Sequence, residues 1–406
     1  MNKKRKLTLV FILILLSRLY SYLHMKVGVE NGELYLNGLT NYISVGLNLM
    51  ALLIALWMSF SSSYNLKIFR KHPIALTCCF IAIVFWLGFD LFHVGIIETF
   101  YSSSSSLVYL TMFTMAIGCD EECWFFLKKL SPIMGSIFLF LTLFFYSILI
   151  VPLGGRVGGG TPVTYFLVSS FWWLALCSAF IKQYNKRTKI YIIALVIVFG
   201  LIAFSLTYRS WMIQTVLLIL IIFYQLNNEK RNKNFKTVAY ITLIIVIVAV
   251  VFSLSDWTKA FSTLEQKSQS DTRLFQYKET FSQIPLTTWL FGGGINVSYN
   301  SSIGGDNYTS IDNQLLMAEM HYGCFLAVPF FFIWFAIFFN LFWNSVKQKK
   351  TFYPEMLILM LWLFALGGLS VFNAIAFNSQ SILLAIVLGR CFYINQNINI
   401  QKHEKD

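Results

Sequence analysis

The sequence predicts an all-α polytopic membrane protein of about 12 transmembrane helices, with one large extracytoplasmic loop containing short helices. Three observations lead there. The chain is 57% apolar and 12% charged, against about 45–50% and about 25% for a soluble domain. Its mean hydropathy is +0.66. Apolar runs of the about 20 residues that a bilayer requires recur along its whole length. Such a composition excludes a secreted disulfide scaffold, a cytosolic enzyme and a disordered chain. The net charge of +13 is what cytoplasmic loops demand for orientation, so no nucleic-acid partner is expected.

The chain opens on Lys3-Lys4-Arg5-Lys6 and an apolar run from Leu7, with no small-residue cleavage site after Ser21-Tyr22-Leu23-His24. It reads as an uncleaved first span whose N-terminus lies in the cytoplasm. Further runs cover 40–60, 73–93, 100–118, 133–151, 163–181, 190–207, 210–226, 237–255, 322–343, 355–371 and 378–394. The run at 100–118 is interrupted by Ser102 to Ser106, and leaving it out would invert everything downstream. With all runs counted, both termini are cytoplasmic. The loops and tails on that side, together with Arg390 near the inner end of the last run, then hold 23 of the 31 basic residues, and the outer side holds seven. A wrong span count would mix the two sets.

Three regions follow: residues 1–255 with nine spans, 256–321 as the large outer loop, and 322–406 with three spans and a tail. A loop of that length in a compact protein is usually functional. It carries an amphipathic helical pattern from Arg273 to Ile284 and breaks at Pro285 and Gly292-Gly293-Gly294. Asn, Ser and Gly then suggest irregular structure over 296–310, before a second helix from about Asp312. The seven cysteines lie in or beside apolar runs without zinc-like spacing, so neither a metal site nor a disulfide framework is expected. The glycine-rich stretch 154–160 lacks the Lys-Ser/Thr of a phosphate-binding loop, and no cofactor is expected.

Arginines on the outer side run against the positive-inside rule and therefore need a reason. Arg209 sits at a very short turn between two spans, Arg273 begins the loop helix, and Arg156 lies among glycines that permit close approach to an anion. Guanidinium binds phosphate bidentately and stays charged, so arginines converging here suit a lipid diphosphate. The alternatives are an interfacial anchor for Arg209, a solvated helix charge for Arg273 and a plain linker around Arg156. The second constellation runs from Asp312 to Gly323, with Asn313, Glu319 and His321 between them. A carboxylate or imidazole there could take a proton from a sugar hydroxyl, or Asp312 could simply cap a helix. Asp90 and His93, at the outer end of the third span, rank lower.

These residues resemble the O-antigen ligase and Wzy-type polysaccharide polymerase superfamily, over roughly residues 190–345. Arg273, Pro285 and Gly292-x-Gly294 match its Arg-led helix and Pro…Gly-x-Gly stretch, and Asn313, nine residues, then Gly323 match its later spacing. Arg209 matches the earlier arginine. Asp312 stands where the ligase pattern has His, which tilts against a ligase. The resemblance implies a glycosyltransferase that polymerises polyprenyl-diphosphate-linked oligosaccharide repeat units at the outer face of a bacterial cytoplasmic membrane. It would act beside a flippase and a chain-length regulator. Arg209 and Arg273 would hold the diphosphate, Asp312 or His321 would act on the acceptor, and Arg156, Asn313, Glu319, Gly292 and Gly294 would bind substrate. The alternatives are a ligase acting on another acceptor and a transporter of lipid-linked oligosaccharide.

Overall fold

The computed structural model describes residues 2–23, 26–30, 33–37, 42–101, 105–150, 161–206, 209–227, 272–302, 305–309, 311, 313–347, 352–365 and 379–403. Eight helices in these residues are long and apolar enough to cross a membrane. They are α1 (Lys3–Leu23), α2 (Tyr42–Phe60), α4 (Pro73–His93), α7 (Glu121–Phe145, with its π-helical extension), α8 (Pro162–Ala179), α9 (Lys186–Ser205), α14 (Cys324–Lys347) and most of α16 (Ser379–His403). Three shorter apolar helices fall on further expected spans: α6 (Leu107–Leu110) with its 3₁₀ continuation Thr111–Cys119, α10 (Arg209–Asn227) and α15 (Pro354–Ala365). The expected span at 237–255 lies outside the described residues. The protein is a helical, multi-pass membrane protein.

α8 is the axis of the bundle. All its residues but Thr164 are buried, including Trp172 and Trp173, as expected of a helix that is apolar all round. By contrast α4 and α9 bury only one stripe and leave Phe85, Phe92, Ile190 and Tyr191 facing outward. The short amphipathic α3 (Ser63–Lys71) joins α2 to α4. At one end of the bundle Lys3 pairs with Asp120, Lys4 with Glu122, and Arg390 with Glu121 at 2.8 Å. The opposite end carries residues 272–323.

The run at 100–118 is not one helix. α5 covers Ile96–Tyr101, Ser105 and Ser106 are not helical, and α6 begins at Leu107 and tightens into nine residues of 3₁₀ helix. A 3₁₀ helix rises about 2.0 Å per residue, so Leu107 to Cys119 reaches from Tyr109, beside Tyr322, to Cys119 and Asp120, beside Lys3. Small residues let it lie close against α16. A Cβ on Gly118 would overlap the Ile386 carbonyl, and one on Gly389 the Met115 carbonyl.

Two hairpins qualify the all-α expectation. β1 (Lys26–Glu30) pairs antiparallel with β2 (Glu33–Asn37), and β3 (Tyr299–Ser301) with β4 (Gly305–Tyr308). The second corrects the expectation of irregular structure over 296–310. Tyr299 and Tyr308 face each other across the pair with ring centroids 5.8 Å apart, a cross-strand contact that offsets the weak strand propensity of Asn, Ser and Gly.

Candidate functional site

Residues 272–323 build a cap with an interior of its own. α11 (Thr272–Gln283) turns Gln276 and Thr280 inward and leaves Phe275 and Phe281 exposed. Pro285 ends it and starts α12 (Leu286–Phe291). The hairpin is fastened to α11 by side chains reaching its backbone. Gln283 donates Nε2 to the Asn300 carbonyl and accepts the Asn300 N–H on Oε1, both at 2.8 Å, and Glu279 accepts the Ser302 N–H at 3.2 Å. Ile284, Trp289, Tyr299, Ile311, Met317 and Met320 form a hydrophobic cluster separate from that of the bundle.

α13 (Gln314–Tyr322) explains the nine-residue spacing. Asn313 caps its start, Oδ1 accepting the N–H groups of Leu315 at 3.0 Å and Leu316 at 3.2 Å. Gly323, at φ 73°, ends it, donating its N–H to the Glu319 carbonyl at 2.7 Å. The interval from Asn313 to Gly323 is thus the length of one helix between its two caps. The helix starts at Gln314, two residues from the expected start near Asp312.

The two halves of the family-like pattern interlock. Gly293 donates to the carbonyls of Met320 and His321, and Gly294 to that of His321 at 2.8 Å, satisfying carbonyls that the end of α13 leaves open. Gly292 and Gly294 have φ of 93° and 77°. A Cβ on Gly292 would stand 2.5 Å from the Trp86 ring, and one on Gly323 2.5 Å from the Phe291 carbonyl carbon. These glycines are demanded by backbone lying on backbone.

His321 is fully buried in this joint. Its Nδ1 is 2.8 Å from the Gly294 carbonyl and its Nε2 2.9 Å from that of Thr309. Burial pushes the imidazole below its ordinary pKa, while the two carbonyl acceptors pull upward and only partly compensate. A neutral ring donates through one nitrogen alone. In this arrangement His321 links the glycine turn to the strand end.

α4 supplies the floor. Trp86 donates Nε1 to the Tyr322 carbonyl at 3.0 Å, and Asp90 Oδ1 accepts the Ile295 N–H at 3.2 Å. Asp90 is fully buried; the Tyr322 phenol hydrogen-bonds to its carboxylate, and His93 interacts with it electrostatically. Sequence reading ranked Asp90 low and missed Trp86, because their partners lie 205 and 236 residues away. The available signal was a lone carboxylate at the end of an apolar run.

The other expected residues fall as follows. Glu319 is half-buried and accepts the Cys324 thiol at 3.4 Å. Arg209 and Arg273 stand in the first turns of α10 and α11, with their side chains outside the described residues, and Arg156 and Asp312 lie outside them altogether. The structure brings Gly292, Gly294, Asn313, Glu319 and His321 into one cap and adds Trp86 and Asp90. Among the described residues no group of three or more His, Cys, Asp or Glu is placed to hold a metal ion. Compared with protein-family models, with curated proteins and with solved structures, the chain matches none.

Proposed function

We propose that the protein is a polytopic glycosyltransferase that extends a glycan on a polyprenyl diphosphate at the outer face of a bacterial cytoplasmic membrane. The observation that carries this reading is the joint itself. The Pro…Gly-x-Gly stretch and the Asn…Gly stretch, separated in sequence, lock onto each other at the end of the bundle opposite the paired lysines. The positive-inside rule makes the lysine end cytoplasmic and the cap extracytoplasmic. On this topology twelve spans put both termini in the cytoplasm.

In the proposed reaction the bond between the anomeric carbon and the diphosphate oxygen breaks, and an acceptor hydroxyl of the next repeat unit forms the new glycosidic bond. The polyprenyl diphosphate leaves, and the acceptor proton passes to a base. Arg209 and Arg273, with Arg156, neutralise the leaving diphosphate. Both Arg209 and Arg273 lie in the first described turn of a helix. Asp312 accepts or orients the acceptor proton. His321 acts from behind, holding the turn of Gly292 and Gly294.

A second reading, a carrier of lipid-linked oligosaccharide, draws on polar groups buried within the bundle: Arg18, Asn48, Gln214 and Gln380. One experiment separates the two. Purified protein in lipid vesicles is given a defined polyprenyl-diphosphate repeat unit, and the native chain is compared with Arg273→Ala. The polymerase yields a ladder of repeat-unit multiples that the variant loses at equal expression. Labelled substrate crossing the bilayer with no ladder overturns the polymerase in favour of the carrier.

A further inference from the structure

A second amphiphilic site lies at the other end of α4. The helix has 21 residues, about 31 Å at 1.5 Å per residue, and Lys71 and His72 stand at the end away from Asp90 and the cap. From there a groove of 790 Å³ runs between α4 and α14 toward the tip of α12, walled by Ile74, Cys78, Leu290, Phe291, Val328 and Phe332. Its walls are almost wholly apolar and face outward, where a bilayer would lie; Ile74 is 79% exposed. The groove shares Lys71 and His72 with an adjoining hollow of 500 Å³. That hollow adds Lys67, Asn340, Asn344 and Gln396, and among the described residues no Asp or Glu lines either space. Burial and then the neighbouring Lys71 push the His72 imidazole below its ordinary pKa, so the two ammonium groups supply the charge.

An apolar channel that opens onto paired lysines and amides has the shape and polarity of a phospholipid, not of a soluble anion. Basic pockets between helices on the cytoplasmic side are where anionic headgroups bind. We propose that this protein holds an anionic phospholipid here, its phosphate on Lys67 and Lys71 and an acyl chain in the groove between α4 and α14. The headgroup end of the site lies at the end of α4 away from the cap, so its occupant is not the lipid-linked glycan proposed above. The tip of α12, with Leu290 and Phe291, forms the far wall, so a bound chain braces the same α12 that ends at the glycine turn.

The test is native mass spectrometry on the full chain, delipidated in detergent and offered phosphatidylglycerol or phosphatidylcholine with identical acyl chains. The native protein retains phosphatidylglycerol about tenfold better. Lys67→Gln with Lys71→Gln brings the two lipids within twofold of each other. Both lysines are exposed, so this variant folds, and an unchanged melting temperature checks that it does. Val328→Trp, which fills the groove, lowers retention of both lipids. Equal retention by the native chain, an undiminished preference in the double lysine variant, or displacement by inorganic phosphate alone overturns the proposal.

Discussion

Glycines hold both the bundle and the cap together, and they do so for different reasons. In the bundle, Gly118 and Gly389 let two helices approach until carbonyl oxygens occupy the space of a side chain, with ordinary helical backbone at both. In the cap, Gly292, Gly294 and Gly323 combine close approach with positive φ. The first pair requires only small size, whereas the second set requires freedom from a Cβ in both position and conformation. The bundle joint can therefore relax by sliding one helix, and the cap joint has no comparable escape.

Gly323→Ala sharpens that contrast most. Gly323 has φ 73° and ψ 175°, a region essentially reserved for glycine where a Cβ costs about 1–3 kcal/mol, and overlap with the Phe291 backbone adds about 1–3 kcal/mol. Residues 272–323 become sensitive to limited proteolysis while the bundle stays protected, and glycan ladder formation is lost. Gly389→Ala meets Met115 without the conformational term, costing about 1–3 kcal/mol. It lowers the melting temperature with the cap's protection intact. Equal effects of the two on cap proteolysis would dissolve the distinction.

Asn313→Ala is smaller, removing a helix cap worth about 1 kcal/mol. Hydrogen exchange at Leu315 and Leu316 reports it, and Asn313→Asp retains most of the protection because its carboxylate accepts the same N–H groups. Smallest is the effect of pH. The folded His321 titrates below its ordinary value, so the unfolded chain takes up the proton first, and cap stability falls as pH drops through about 6.5. A cap melting curve that is flat between pH 7.5 and 5.5 would contradict the burial of a neutral ring.

The apolar runs were legible because a bilayer imposes length and composition on each helix separately. The interval from Asn313 to Gly323 was also legible as a spacing, and it is one because a capped helix has a fixed length. Asn31-Gly32, set between alternating Val27, Val29, Leu34 and Leu36, carried a hairpin signal that the overall apolar periodicity hid. The hairpin at 299–308 escaped for another reason. Its strands are held by Gln283 and Glu279 of α11, and the local signal, Gly304-Gly305 between Tyr299 and Tyr308, is weak among so many Asn, Ser and Gly. Asp90 and Trp86 entered the joint through contacts more than 200 residues long, which no local pattern encodes.

A helix pinned at both ends behaves as a ruler. One residue inserted between Asn313 and Gly323 would turn everything beyond it by about 100° and push it along by about 1.5 Å, taking Gly323 off the Phe291 backbone and Tyr322 off Trp86. Insertions and deletions should therefore be purged from 313–323. Diversification of this protein will show as substitutions alone in α13.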